Sequence, residues 1–155
     1  MRTESQPSGP PTLLPCLCAN LRRASRTVTQ LYEDALRPLG LRATQFTVLQ
    51  ALSLAGEVNQ GLLGQILAMD STTLTRTLDI MKRRGWIVQS RGEDRREWRL
   101  GLSQHGRDQL KRALPRWRSV QRRVHSQLGD ELWDNLFNAT GQVTRALMGK
   151  GEKSS

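Results

Sequence analysis

Apolar residues fall at helical spacing over most of the chain. Leu17, Leu21, Ala24, Val28, Leu31 and Ala35 are separated by four, three, four, three and four positions. That seam predicts a first helix from about Leu17 to Pro38 that wants a partner helix, ended by Pro38 and Gly40. Phe46, Leu49 and Leu52 mark the inner face of a helix from Ala43 to Ala55, and Leu63 and Leu67 that of a shorter one from Asn59 to Leu67. Asp70 and Ser71 carry side-chain oxygens suited to an N-cap, and Leu74, Leu78 and Met81 follow as one stripe. Gly85 stops that helix behind Lys82, Arg83 and Arg84, cations favoured at the negative end of its dipole. The period then changes. Trp86-Ile87-Val88-Gln89 reads as a strand, Ser90 to Arg96 as a charged loop holding Gly92, and Trp98, Leu100 and Leu102 as a returning strand. Two more helical stripes close the chain. One runs through Leu110, Leu114, Trp117, Val120, Val124 and Leu128 from about Ser103, with Pro115 predicting a kink; the other runs through Leu132, Leu136, Val143 and Leu147.

The helix that begins at Asp70 is two-faced. Opposite its apolar stripe stand Ser71, Thr72, Thr75, Arg76 and Asp79, short hydroxyls and a guanidinium that suit a DNA groove. Helix, strand, basic loop, strand is the order of a winged helix. The segments LTRTLDIMKRRGW, EDRR and LGLSQHG resemble the recognition helix, the wing with its D-x-R motif and the following Leu-x-Ser/Thr-x-x-Gly of the MarR family of bacterial transcription regulators. The resemblance extends from about Cys16 to Leu147, and its hydroperoxide-sensing branch is resembled in part.

That resemblance implies a mainly α fold with a small β-wing: a winged helix-turn-helix core over 41–102, flanked by N- and C-terminal dimerisation helices over 16–38 and 103–148. The three amphipathic flanking helices, beside so small a core, point the same way, to a symmetric homodimer. Glycine is common in the family where Ala68 stands. Gly61 and Gly64 sit inside a short helix, where each costs about 1 kcal/mol relative to alanine; the family usually has a small residue at the second, and nothing in the pattern explains the first. On double-stranded DNA, Ser71, Thr72, Thr73 and Thr75 would meet phosphates and base edges, and Arg76 is built for a bidentate contact with guanine. Arg95 and Arg96 would reach the minor groove. By the family's pattern Arg96 is the groove probe, and Asp94 supports the wing against a nearby arginine.

Charge agrees with a polyanionic partner. The 155 residues hold 24 Lys and Arg against 14 Asp and Glu, a net +10 and a sequence pI near 11.1, which favours nucleic acid or an anionic membrane. No run is long enough to span a bilayer and no apolar leader is apparent, so a cytoplasmic protein without membrane contact is expected. Residues 1–15 are rich in proline with Ser, Gln and Gly, and 149–155 read GKGEKSS, so both are expected to be disordered tails around a single domain over 16–148.

Two cysteines need an account. Cys18 lies near the start of the first helix, where backbone donors and Arg22 and Arg23 favour a thiolate. In the hydroperoxide-sensing branch a reactive cysteine stands eight residues before an arginine and fourteen before a tyrosine, the spacing of Cys18, Arg26 and Tyr32 here. Fourteen helical residues span about 21 Å, so Tyr32 would have to come from the other subunit. Two further tyrosines of that branch fall at Arg22 and Ala43, and a buried, inert cysteine is the competing reading. Cys16 is a resolving partner more easily between subunits than within one, because the closely spaced intrachain bridge is strained. The thiols with His105 or His125 are a candidate set for a soft ion, but structural zinc usually wants two close pairs of ligands and the histidines read as ordinary surface residues, so no metal or cofactor is expected. The tryptophans read as packing residues, with Phe46 and Trp117 also placed to line the crevice where family members take phenolic ligands.

Nothing in the sequence supports an enzyme: there is no phosphate loop, H-E-x-x-H or G-x-S-x-G. The expected protein is a repressor released from a pseudo-palindromic operator by a small aromatic ligand or by oxidation of Cys18, for instance by an organic hydroperoxide. The alternative is a nonspecific or architectural DNA binder without effector response.

Overall fold

The computed structural model describes residues 13–94 and 96–148, so the expectations for 1–12 and 149–155 lie outside the described residues. The elements follow in the order α1 (Leu17–Leu36), a 3-10 turn (Arg37–Leu39), α2 (Ala43–Ala55), α3 (Gln60–Leu67), α4 (Ser71–Arg83), β1 (Ile87–Arg91), β2 (Trp98–Leu102), α5 (Gln104–Leu128) and α6 (Asp130–Met148). The fold is thus mainly α, with one antiparallel hairpin.

Helix α2 is the hub. It packs against α1, α3, α4, α5 and β2, and its Phe46, Val48, Leu49, Ala51 and Leu52 are all buried in one cluster with Leu36, Leu41, Leu63, Leu74, Leu78, Met81, Leu100, Leu110 and Ala113. Its first turn is capped partly from within and partly from α1. Glu33 of α1 accepts from the Ala43 amide at 2.9 Å, and Gln45 accepts from the Arg42 amide at 3.0 Å. Donors that a helix start leaves unpaired are thereby met, and α1 is tied to α2 at the same point.

Two boundaries move from expectation. The first helix stops at Leu36 rather than Pro38: Arg37 keeps helical dihedrals, φ −51 and ψ −43, but Pro38 has no amide hydrogen to donate back to the preceding turn. Pro38 then sits in the 3-10 turn, closed by Gly40 at φ 64. Strand β1 begins at Ile87 and continues through Ser90 and Arg91, pairing Ile87 with Leu102 and Arg91 with Trp98, so the loop shortens and Trp86 turns into the core at 4 % exposure. A third piece joins the sheet unforeseen: Val58 bridges Leu100, with amide-to-carbonyl bonds of 3.1 and 2.8 Å. Helix α5 runs from Gln104 to Leu128 with Pro115 inside it.

Ala68 closes α3 in the left-handed region, φ 50 and ψ 41, where a Cβ costs about 1–2 kcal/mol. Ala68→Gly is therefore expected to stabilise the protein by about 1 kcal/mol after the added freedom of the unfolded chain is counted. Chemical denaturation of the two proteins side by side measures it, and a destabilised Ala68→Gly would contradict it.

Helix α5 is entered through Ser103, whose hydroxyl accepts from the Gly106 amide at 2.9 Å and donates to the Gly85 carbonyl. The Ser103 amide donates to the Trp86 carbonyl at 3.0 Å. Gly106 lies so close that a Cβ there would stand 2.0 Å from the Trp86 carbonyl oxygen. Helix α6 packs along α5, yet none of its residues is buried in the single chain.

Candidate nucleic-acid interface

The face of α4 is decided by what its other side buries. Leu74, Leu78 and Met81 are buried against the core, and this turns Ser71, Thr72, Thr75, Arg76 and Asp79 outward, all exposed. The hydroxyls are not equivalent. Thr73 is drawn into the N-cap: Asp70 accepts from its amide at 2.9 Å and from its hydroxyl at 2.6 Å. Thr75 accepts from Gln60 at 2.9 Å, which ties the start of α3 to α4. Ser71, Thr72, Arg76 and the Thr75 hydroxyl proton are left to present to a partner. The Thr73 hydrogen bonds hold the Asp70 carboxyl below its ordinary range, so the cap is charged at neutral pH.

Of the cations at the end of α4, Arg84 is committed to structure. Its Nη1 donates to the Gly40 carbonyl at 2.7 Å, and its guanidinium lies 5.1 Å from the Trp86 ring centre. Lys82 and Arg83 remain beside Arg76, Asp79 and Ile80 around a shallow groove.

The wing is braced at its tip and at its root. At the tip, Asp94 accepts from the Arg96 amide at 2.9 Å, and its carbonyl accepts from the Glu97 amide at 2.9 Å. Among the described residues Asp94 therefore holds the turn through backbone amide and carbonyl bonds. This leaves the Arg96 side chain exposed; Arg95 lies outside the described residues. At the root, Glu97 accepts from Asn59 at 2.8 Å and pairs with Arg99 at 3.4 Å. The Asn59 bond, with the Arg99 charge behind it, keeps the Glu97 carboxyl below its usual range. Asn59 also caps α3 by accepting from the Leu62 amide at 2.8 Å. One asparagine so fixes the wing to the start of α3. Sequence reasoning did not single out Asn59, Gln60 or Glu97 as site residues; only Asn59 carried a visible signal, a cap type at a helix start.

The thiols stand apart from this surface. Cys16 and Cys18 are both exposed, and Cys18 lines a groove with Leu17, Leu21, Arg22, Arg26, Val143 and Leu147 between the start of α1 and the end of α6. Tyr32 does not face them within the chain: its hydroxyl donates to Gln121 of α5 at 2.7 Å, and burial raises its pKa. Phe46 and Trp117 are in contact, ring centres 5.9 Å apart, with Phe46 only 2 % exposed.

The sequence profile described as MarR family matches residues 39–97, which span α2 to the end of the wing loop. The HTH-type transcriptional regulator SarZ of Staphylococcus epidermidis is 30% identical over 133 residues, 85% of this chain and 81% of SarZ. The chain belongs to the MarR family. Members are transcription regulators and not enzymes. A shorter match joins it to the HTH-type transcriptional regulator YwoH of Bacillus subtilis, 30% identical over 81 residues; it spans 52% of this chain and 59% of YwoH, less than two thirds of that relative. In three dimensions this MarR-family chain is similar to the M. tuberculosis transcriptional regulator MosR, solved in complex with DNA. The TM-score is 0.77 at 36% identity, covering 86% of this chain and 97% of MosR.

Proposed function

We propose that two copies of this chain form a homodimer that binds double-stranded DNA sequence-specifically in the cytoplasm and represses transcription by occupying promoter DNA. The observation that carries this is the division of α4: Leu74, Leu78 and Met81 buried, Ser71, Thr72 and Arg76 free on the outer side. The hairpin bearing exposed Arg96 packs on α4 through β1. MosR, similar over nearly its whole length, is one relative seen on DNA. Arg76 reads a base edge in the major groove, Arg96 enters the neighbouring minor groove, and the two-fold axis sets half-sites about one helical turn apart.

Gel-shift binding to the protein's own upstream region tests it. Arg76→Ala is expected to weaken binding by about 1–3 kcal/mol, roughly 5- to 150-fold, and to relax preference at one base position. Binding that prefers no sequence and falls steeply with salt would favour the architectural reading instead.

Release by oxidation at Cys18 is supported by an exposed thiol beside Arg22 and Arg26 at an apolar groove. Release by an aromatic ligand between Phe46 and Trp117 has less support, because the two rings already fill one another's space. An organic hydroperoxide should free wild-type protein from DNA and leave Cys18→Ser bound. Equal release of both would remove the thiol from the mechanism.

A further inference from the structure

Helix α5 carries a charge pattern that reading DNA through α4 does not use. Along its 25 residues lie Arg107, Lys111, Arg112, Arg116, Arg118, Arg122 and Arg123 against a single acid, Asp108, which accepts from Gln104. Among the described residues none of those seven cations pairs with a carboxylate. Arg112, Arg116, Ser119 and Arg123 recur at intervals of four, three and four, which places them in one straight row, and all four are exposed. The row is about 16 Å long and parallels roughly five base-pair steps of a duplex.

Its position separates it from the α4 face. Helix α2 packs on both α4 and α5, so the row and the α4 face stand on different helices of the fold. The row is also clear of the apolar surface that a second copy would cover: every exposed large apolar residue of the flanking helices belongs to α1 or α6, and none to α5. The same fact argues against a membrane, since α5 exposes no large apolar side chain to insert beside its arginines.

We propose that the Arg112–Arg116–Arg123 row binds the phosphates of a second DNA duplex, so that the protein holds two duplexes at once. The inference rests on the α4 reading for the first duplex and adds a separate surface for the second. Such contacts are electrostatic and sequence-independent, which lets any stretch of chromosome serve.

The test uses the full chain. Bead-bound upstream-region duplex is loaded with protein, then offered a fluorescent duplex of scrambled sequence. Wild type is expected to retain the second duplex. Arg112→Gln/Arg116→Gln/Arg123→Gln is expected to shift the first duplex about as well as wild type while losing roughly 100-fold in affinity for the second. The corresponding lysine variant should restore retention, because charge and not planarity is what phosphate demands here. Retention by the glutamine variant at the wild-type level would overturn the proposal, as would a wild type that loads on the beads and captures nothing. Loss of phosphatidylglycerol-vesicle binding in the glutamine variant, without any effect on the second duplex, would assign the row to membranes and equally overturn it. A failure of the α4 reading is visible separately through Arg76→Ala/Arg96→Ala. That variant is expected to keep binding the scrambled duplex through α5, and to lose it only when the three glutamines are added.

Discussion

Gly106→Ala is expected to be recovered unfolded, or with its thermal midpoint lowered by roughly 10 °C or more, corresponding to a loss of about 3 kcal/mol. The added Cβ would lie 2.0 Å from the Trp86 carbonyl oxygen and 2.9 Å from its carbon. Both are backbone atoms, so no side chain can swing aside. The same carbonyl accepts from the Ser103 amide, and Trp86 is itself buried. Relief requires α5 to lift from the residue that feeds β1, and this breaks the Ser103 bonds to Gly85 and Trp86 and loosens Leu110 and Ala113 from the core. Gly61→Ala is the control. It adds the same methyl inside α3, where the nearest atom is Asn59 Oδ1 at 3.5 Å, and helix propensity should make it neutral or stabilising by up to about 1 kcal/mol. Circular dichroism melts of both variants read the contrast. Equal midpoints for Gly106→Ala and wild type would refute the packing argument.

Gly106 also shows what a sequence can and cannot disclose. Its place in Leu-x-Ser-x-x-Gly was visible, but the reason for it was not, because the atom it must avoid belongs to a residue on the other side of the hairpin. Local physics was legible: the Asp70 cap, the Leu74-Leu78-Met81 stripe and the alternation around Leu100 each depend on neighbours within a few positions, and α2, α4 and the hairpin appear nearly where those patterns put them. Contacts between distant segments were not. Val58 joining Leu100, Arg84 reaching Gly40, Tyr32 donating to Gln121 and Asn59 holding Glu97 leave no periodic trace. Two of them change the site. The Tyr32 bond occupies the hydroxyl that was expected to serve a partner's Cys18, and the Asn59 bond, unforeseen, sets where the wing stands. The Thr73 hydroxyl donates to Asp70 and has no proton left for a phosphate, whereas Thr75 accepts from Gln60 and keeps its own, so the expected reading face narrows by Thr73 alone.

The remaining large effect concerns the proposed dimer, and it begins from a helix that lacks a core. Helix α6 is amphipathic over 19 residues without a buried one: Leu132, Leu136, Phe137, Val143 and Leu147 are exposed, as are Leu17, Leu21 and Val28 on α1. Covering a leucine or phenylalanine fully is worth about 1.5–3 kcal/mol, so a stripe of this extent left in water is a large unclaimed driving force. A second copy provides the matching stripe under two-fold symmetry. Leu136→Asp/Leu147→Asp puts two charges into that contact at positions the single chain leaves open, so the subunit's own core is untouched. Sedimentation is expected to show monomer for this variant at concentrations where wild type is dimeric. Affinity for the upstream duplex should fall at least about 100-fold, because each half-site then binds alone and the gain from linking two weak contacts disappears. The affinity loss should follow the loss of dimer across protein concentration, which separates it from damage to α4. A variant that sediments as a dimer with wild-type affinity would place the partner surface elsewhere and remove the reason for a pseudo-palindromic site.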